Sequence, residues 1–178
     1  PEAQQPTGPT GFTPDGMHVG AVALPDAGDG RPFAMKAEKG GLLLVFFGYT
    51  RCPDICPMTL SALHRIKQDL PADDRARVDV AFVTVDPDRD SAPTLERYLA
   101  SFLDRFHGLR TTDPAVLGAA EMAFAASSQV TTDAATGDVQ VSHTASLYAV
   151  DENGAVVRVW PFGMDPSVIL AEVRGLLR

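Results

Sequence analysis

Both cysteines of this chain fall in the stretch GYTRCPDICPMTL, residues 48–60, with three residues between Cys52 and Cys56. Each is followed by a proline. Three uses compete for such a pair: a structural staple, a thiol–disulfide redox couple, or part of a metal site. A disulfide stabilises mainly by restricting the unfolded chain, and the restriction grows with loop length. Bridging Cys52 to Cys56 closes a very short loop. It adds little to a chain of 178 residues, which is long enough to bury a core of its own. The redox couple and the metal site remain.

A third candidate stands far along the chain, His143 in VSHTASLYAV. Alone, a histidine ahead of a strand is an ordinary capping or surface residue. Brought against two thiolates, it completes a soft, trigonal donor set. Cu(I) suits that set best, and the imidazole also tolerates Cu(II). Zn(II) in a closed structural site would call for a fourth protein ligand.

Whether the three groups meet depends on the elements that carry them. Residues 1–16, rich in Pro, Gly, Gln and Thr, read as a poorly ordered lead-in to a single domain, 17–178. HVGAVAL and RPFAM flank the turn-rich PDAGDG and predict a short hairpin near 18–35. LLLVFFGYT is a continuous apolar run, as expected of a strand covered on both faces. From Pro57 to Leu70, the residues Leu60, Leu63, Ile66 and Leu70 share one helical face, and Pro71 stops the helix. VDVAFVTVD predicts a second strand. Helices open at Ser91-Ala-Pro93 and Asp113-Pro114, and TTDAATGDVQ reads as a polar loop. ASLYAV and AVVRVW flank DENG in a hairpin signature, and Asp165-Pro166 opens a last helix. The order is a βαβ half followed by a ββα half. That predicts an α/β, thioredoxin-like fold: a central mixed sheet flanked by helices, with an N-terminal hairpin extension.

In this order Cys52 and Cys56 lie where the first central strand passes into its helix, at the carboxyl end where open α/β sheets bind ligands. The helix N-terminus favours negative charge, so both thiols are expected as thiolates. Pro57 is expected to disfavour helical geometry at Cys56, giving a wider loop than the two-residue spacing of thioredoxin-type oxidoreductases. His143 is expected to enter the strand that opens the last hairpin. Thioredoxin-like proteins usually place a cis-proline there, and this chain has no proline between Pro114 and Pro161.

The rest of the chain narrows the field. Fifteen Lys and Arg against 23 Asp and Glu leave a net charge of −8, which argues against nucleic acid and anionic membranes as main partners. The longest apolar run suits a strand and is too short to span a bilayer. The chain begins at Pro1 and not Met, which fits a mature or truncated form whose signal or anchor is already gone. VDPDRD (Asp86 to Asp90) is read as a loop capping the next helix. His64 reads as a surface polar residue and Met58 as helix packing. His18, His107, Met17 and Met164 have no partner spacing.

FGYTRCPDICP, VTVDPDRD and VSHTASLYAVDENG resemble the three signature blocks of the Sco/SenC copper-binding proteins, over roughly Leu42 to Arg178. The resemblance implies a thioredoxin fold and one bound copper, Cu(I) or Cu(II), with Cys52, Cys56 and His143 as ligands and Asp54 inside the binding loop. It implies an extracytoplasmic site, periplasmic or at the cell surface, anchored to the membrane in the full-length protein. The implied role is assembly of the CuA centre in subunit II of cytochrome c oxidase, as copper donor, as reductant of the CuA cysteines, or both. A second periplasmic copper chaperone is a further implied partner, and a monomer the implied state. One position departs from the family pattern: an acidic residue often precedes the histidine, and here it is Ser142. The competing reading is a thiol–disulfide oxidoreductase acting through Cys52 and Cys56. A copper sensor or redox-signalling module is the third.

Overall fold

A computed structural model describes residues 10–178. Its centre is strand β3 (Leu42–Gly48), buried at every position. Alternate side chains leave a strand on opposite faces. Leu42, Leu44 and Phe46 therefore enter one apolar cluster, while Leu43, Val45 and Phe47 enter another. Strand β4 (Val78–Thr84) runs parallel to β3, with Leu42 opposite Val78 and Phe46 opposite Phe82, and divides its side chains in the same way. A short parallel edge strand, β5 (His107–Leu109), follows β4. On the other side, β8 (Leu147–Val150) and β9 (Val156–Trp160) add antiparallel, giving the order β5-β4-β3-β8-β9.

Helices cover both faces. The first cluster takes Leu60, Leu63 and Ile66 from α1 (Ile55–Asp69), Leu95 and Leu99 from α3 (Ala92–Ala100), and Ile169 and Val173 from α5 (Pro166–Leu176). The second takes Ala120 from α4 (Pro114–Ala123), with Phe124 at its end, and Leu24 and Met35 from the N-terminal region. A short helix, α2 (Ala72–Ala76), follows Pro71. This is the thioredoxin-like α/β arrangement, with a mixed sheet between helices. The N-terminal hairpin is present as β1 (Ala23–Pro25) against β2 (Pro32–Ala34).

Helix starts follow the capping chemistry of the sequence. The Asp113 carboxylate accepts from Ala115 N at 2.9 Å, and Asp165 from Ser167 N at 2.8 Å, each with proline at the first helical position. Asp113→Ala should cost about 1 kcal/mol of stability in urea unfolding. An unchanged midpoint would show that the α4 start is held by other contacts. The DENG turn needs its glycine. Gly154 has φ +78°, and a Cβ there would meet Gly20 Cα at 2.4 Å.

Three features differ from expectation. The polar segment around TTDAATGDVQ is a second hairpin, β6 (Ser128–Thr132) against β7 (Val139–His143), separate from the main sheet. Strand β6 is mostly exposed and shows no apolar alternation, and the half-buried alternation of β7 rests on only two valines, Val139 and Val141. Strand β5 is three residues long and has no sequence pattern of its own. Of the lead-in, residues 1–9 lie outside the described residues. Within 10–16, Phe12 exchanges backbone hydrogen bonds with Val159 of β9 at 3.0 and 2.8 Å, and Thr13 Oγ1 donates to Val157 O. Among the described residues, no helix is long and apolar enough to cross a membrane.

Candidate metal centre

Two structural levels bring the ligand candidates together. Strand β3 ends at Gly48, a turn closed by Cys52 N donating to Tyr49 O follows, and α1 begins at Ile55. Cys56 is thus already helical, contrary to the expectation from Pro57. Proline in the first turn removes an N–H that has no partner inside the helix anyway, so the helix gives up no hydrogen bond there. Asp54, at the N-cap position, makes no side-chain cap and is exposed. The cap role passes to sulfur: Cys56 N donates to Cys52 Sγ at 3.3 Å.

His143 ends β7 and does not belong to β8, which begins four residues further on. Its backbone pairs with Ser128 of β6, so the imidazole hangs from the outlying hairpin while the thiols sit on the main sheet and its helix. Even so, Nε2 reaches to 3.8 Å from Cys56 Sγ, and the two sulfurs and the imidazole nitrogen lie within 4.8 Å of one another. Among the described residues, this is the one group of three or more His, Cys, Asp or Glu side chains able to hold a metal. The Nδ1 of His143 lies 3.0 Å from Thr144 O. Donation to that carbonyl places the proton on Nδ1 and leaves the Nε2 lone pair facing the sulfurs. A backbone carbonyl therefore orients the ring, and Ser142 does not have to. Phe46 and Tyr49 pack edge-on to the imidazole, with centroids at 6.0 and 5.8 Å.

Both cysteines are free and buried. Burial pushes the Cys56 thiol well above its ordinary value. The Cys52 side chain reinforces the shift by hydrogen bonding, and a backbone hydrogen bond from Tyr49 opposes it. The expectation of two ready thiolates therefore fails at Cys56, because loss of hydration outweighs the helix terminus. Without metal, this sulfur holds its proton. A cation must displace it, as thiolate ligation requires.

Two features of the site were not foreseen. Gly48 is the first: a Cβ at this position would stand 2.9 Å from Cys56 Sγ and 2.8 Å from Phe82 Cζ. Gly48→Ala should push the sulfur aside, costing about 2 kcal/mol of stability and about tenfold in metal affinity. Urea unfolding and a Cu(I) competition assay read the two effects, and wild-type affinity in the variant would show that Gly48 leaves the sulfur free to relax. The glycine ending FFG is visible in the sequence, but the sulfur above it is not. The second is the acidic block. Asp86 pairs with Arg89 at 2.6 Å, while Asp90 reaches back to Thr50, next to the cysteine loop. Met58 is 60% exposed and does not pack in the core. His64 is exposed, and His107 pairs with Asp26 at 2.8 Å while stacking on Phe33, so neither joins the site.

The family model described as SCO1/SenC matches residues 24–178. The chain belongs to the SCO1/SenC family. Among relatives of this family, a SCO2-like protein of Rickettsia felis is 29% identical over 149 residues, covering 83% of this chain and 71% of its own. The solution structure of apo Sco1 from Thermus thermophilus is similar with a TM-score of 0.81 and 32% identity, over 93% of this chain and 95% of that one. The structure of Bradyrhizobium japonicum ScoI with copper bound is similar with a TM-score of 0.74 and 28% identity, over 94% and 99%.

Proposed function

We propose that this SCO1/SenC protein is an extracytoplasmic copper chaperone. In this reading it binds one copper through Cys52, Cys56 and His143 and serves the CuA site of cytochrome c oxidase subunit II. The observation that carries it is the convergence of two sulfurs and one bare imidazole nitrogen within 4.8 Å. Two thiolates satisfy Cu(I), and the added nitrogen donor suits Cu(II). The copper-bound Bradyrhizobium structure supports the choice of metal. The Sco family, described with another member's structure as one of cytochrome c oxidase assembly proteins, supports the choice of partner.

The arrangement divides the work between two supports. The sheet and α1 fix the sulfurs, and the outlying hairpin supplies the nitrogen. Copper is the cargo, so the site has to hold it and also give it up. A partner offering further soft donors can take the metal by replacing one ligand at a time.

A second reading rests on the same sulfur pair. Two free thiols this close can form a disulfide, so the protein would act as a thiol–disulfide reductase toward the CuA cysteines. One experiment separates the two. Reduced, Cu(I)-loaded protein is mixed with the oxidised or reduced apo-CuA domain, and copper transfer and disulfide reduction are followed together. Transfer to the reduced domain is the expected result. Reduction of the oxidised domain with no transfer to the reduced one would favour the second reading.

A further inference from the structure

The most completely buried charged side chain of the described residues, Asp90, is fully enclosed and sits in none of the ligand positions. It follows β4, one residue before Ser91, the cap of α3. A carboxylate taken out of water must be satisfied by hydrogen bonds. Asp90 finds three. Its Oδ2 accepts from Thr50 N at 3.0 Å and from Thr84 Oγ1 at 2.7 Å, and its Oδ1 accepts from Thr50 Oγ1 at 2.6 Å. Two of the three come from one residue, forty positions earlier in the chain.

That residue lies in the turn that delivers the first thiol. Thr50 is inside the Tyr49–Cys52 turn, and Cys52 Sγ in turn caps α1 through Cys56 N. The backbone that carries this carboxylate is itself held. Asp90 N donates to Asp86 O at 2.9 Å, and Arg110 Nε donates to Asp90 O at 2.7 Å. On the strand side, Val85 N donates to Gly48 O at 2.9 Å. We infer that Asp90 is a positioning residue of the metal centre: through Thr50 it fixes the turn that sets the separation of the two cysteine sulfurs. A helix cap alone would need none of this, because Ser91 supplies the cap to Thr94 N. The inference rests on the copper reading for its consequence and on the carboxylate's contacts for its cause.

Its test needs a readout that does not depend on copper. In glutathione buffer the two thiols reduce glutathione disulfide to two glutathione thiols and form one Cys52–Cys56 bond. Two electrons and two protons pass to the oxidant. The equilibrium constant of that exchange reports how the sulfurs are held relative to each other. It is measured on metal-free wild type, Asp90→Ala, Asp90→Asn and Thr50→Val, beside Cu(I) affinity and the melting temperature. Val19→Ala, in the cluster on the other face of the sheet, serves as a purely destabilised control.

Asp90→Ala should shift the exchange constant and the Cu(I) affinity by about tenfold or more. Thr50→Val, which removes one of the three donors, should shift both by about threefold. Asp90→Asn, which keeps the shape and can accept at one oxygen, should fall between wild type and the alanine variant. The control should lose melting temperature and move neither reading. If Asp90→Ala does not fold, Thr50→Val decides. Exchange constants within about twofold of wild type in every folded variant would overturn the inference and leave Asp90 as fold support only. A wild type that binds no copper, with a shifted exchange constant in the variants, would sink the copper reading and keep the positioning role.

Discussion

Oxidised to the Cys52–Cys56 disulfide, the protein is expected to lose Cu(I) binding completely while keeping its fold. A disulfide has no thiolate to offer, and one imidazole cannot hold Cu(I) alone. The fold has no reason to follow. The sulfurs already lie within 4.8 Å of each other, so closure asks for a small local movement. The core of the domain is built from β3, β4 and the helices that cover them. The closed loop is short, so the bridge adds little stability either. Far-UV circular dichroism and thermal melting should overlay for reduced and oxidised protein, while a Cu(I) competition assay shows binding in the reduced form only. Tight Cu(I) binding after full oxidation would mean that the metal sits elsewhere. Oxidation that unfolds the chain would mean that the Cys52–Cys56 turn supports more of the core than its position suggests.

His143→Ala should split the two chemistries of the site. Copper loses one of its three donors, and Cu(II) should suffer more than Cu(I), because two thiolates still satisfy the softer ion. Stable Cu(II) binding should disappear, and Cu(I) affinity should fall by about tenfold or more, the scale on which even outer-shell changes act. Disulfide exchange depends on thiolate fraction, leaving group and access, which the turn and α1 set for the most part. Its rate should stay within about threefold of wild type. The substitution is structurally mild: His143 is half-buried at the end of an outlying hairpin, touching Phe46 and Tyr49 only edge-on. Both activities are measured on one preparation, with a coloured disulfide reporter and a metal competitor. Unchanged copper binding with collapsed exchange would make His143 a redox residue and favour the reductase reading.

The sequence shows the fold where burial imposes a pattern. β3 reads as an unbroken apolar run because both faces are covered, and α1 reads as a stripe because only one face is. The prolines after Asp113 and Asp165 mark helix starts because capping acts over a few residues. Patterns fail where burial is absent. Exposed β6 looks like a polar loop and the alternation of β7 spans only two valines, so the sequence places His143 on the following strand and misses the arm that carries it. The ligand types were legible from local spacing and one distant histidine. What fixes them in place was not. Asp90 and Thr50 meet across forty residues, and Gly48 touches the Cys56 sulfur only because α1 folds back over β3. The thiol of Cys56 shows the same limit. Position at a helix start predicts a thiolate, and only the enclosing core shows that burial prevails.

X-ray absorption on protein loaded with Cu(I), with the bound copper counted, tests the central claim most directly. One copper per chain, with a first shell of two sulfurs and one imidazole nitrogen, is the expected result, the nitrogen vanishing in His143→Ala. A shell without the nitrogen in the wild type, or two coppers held with comparable affinity, would contradict a single site made of Cys52, Cys56 and His143.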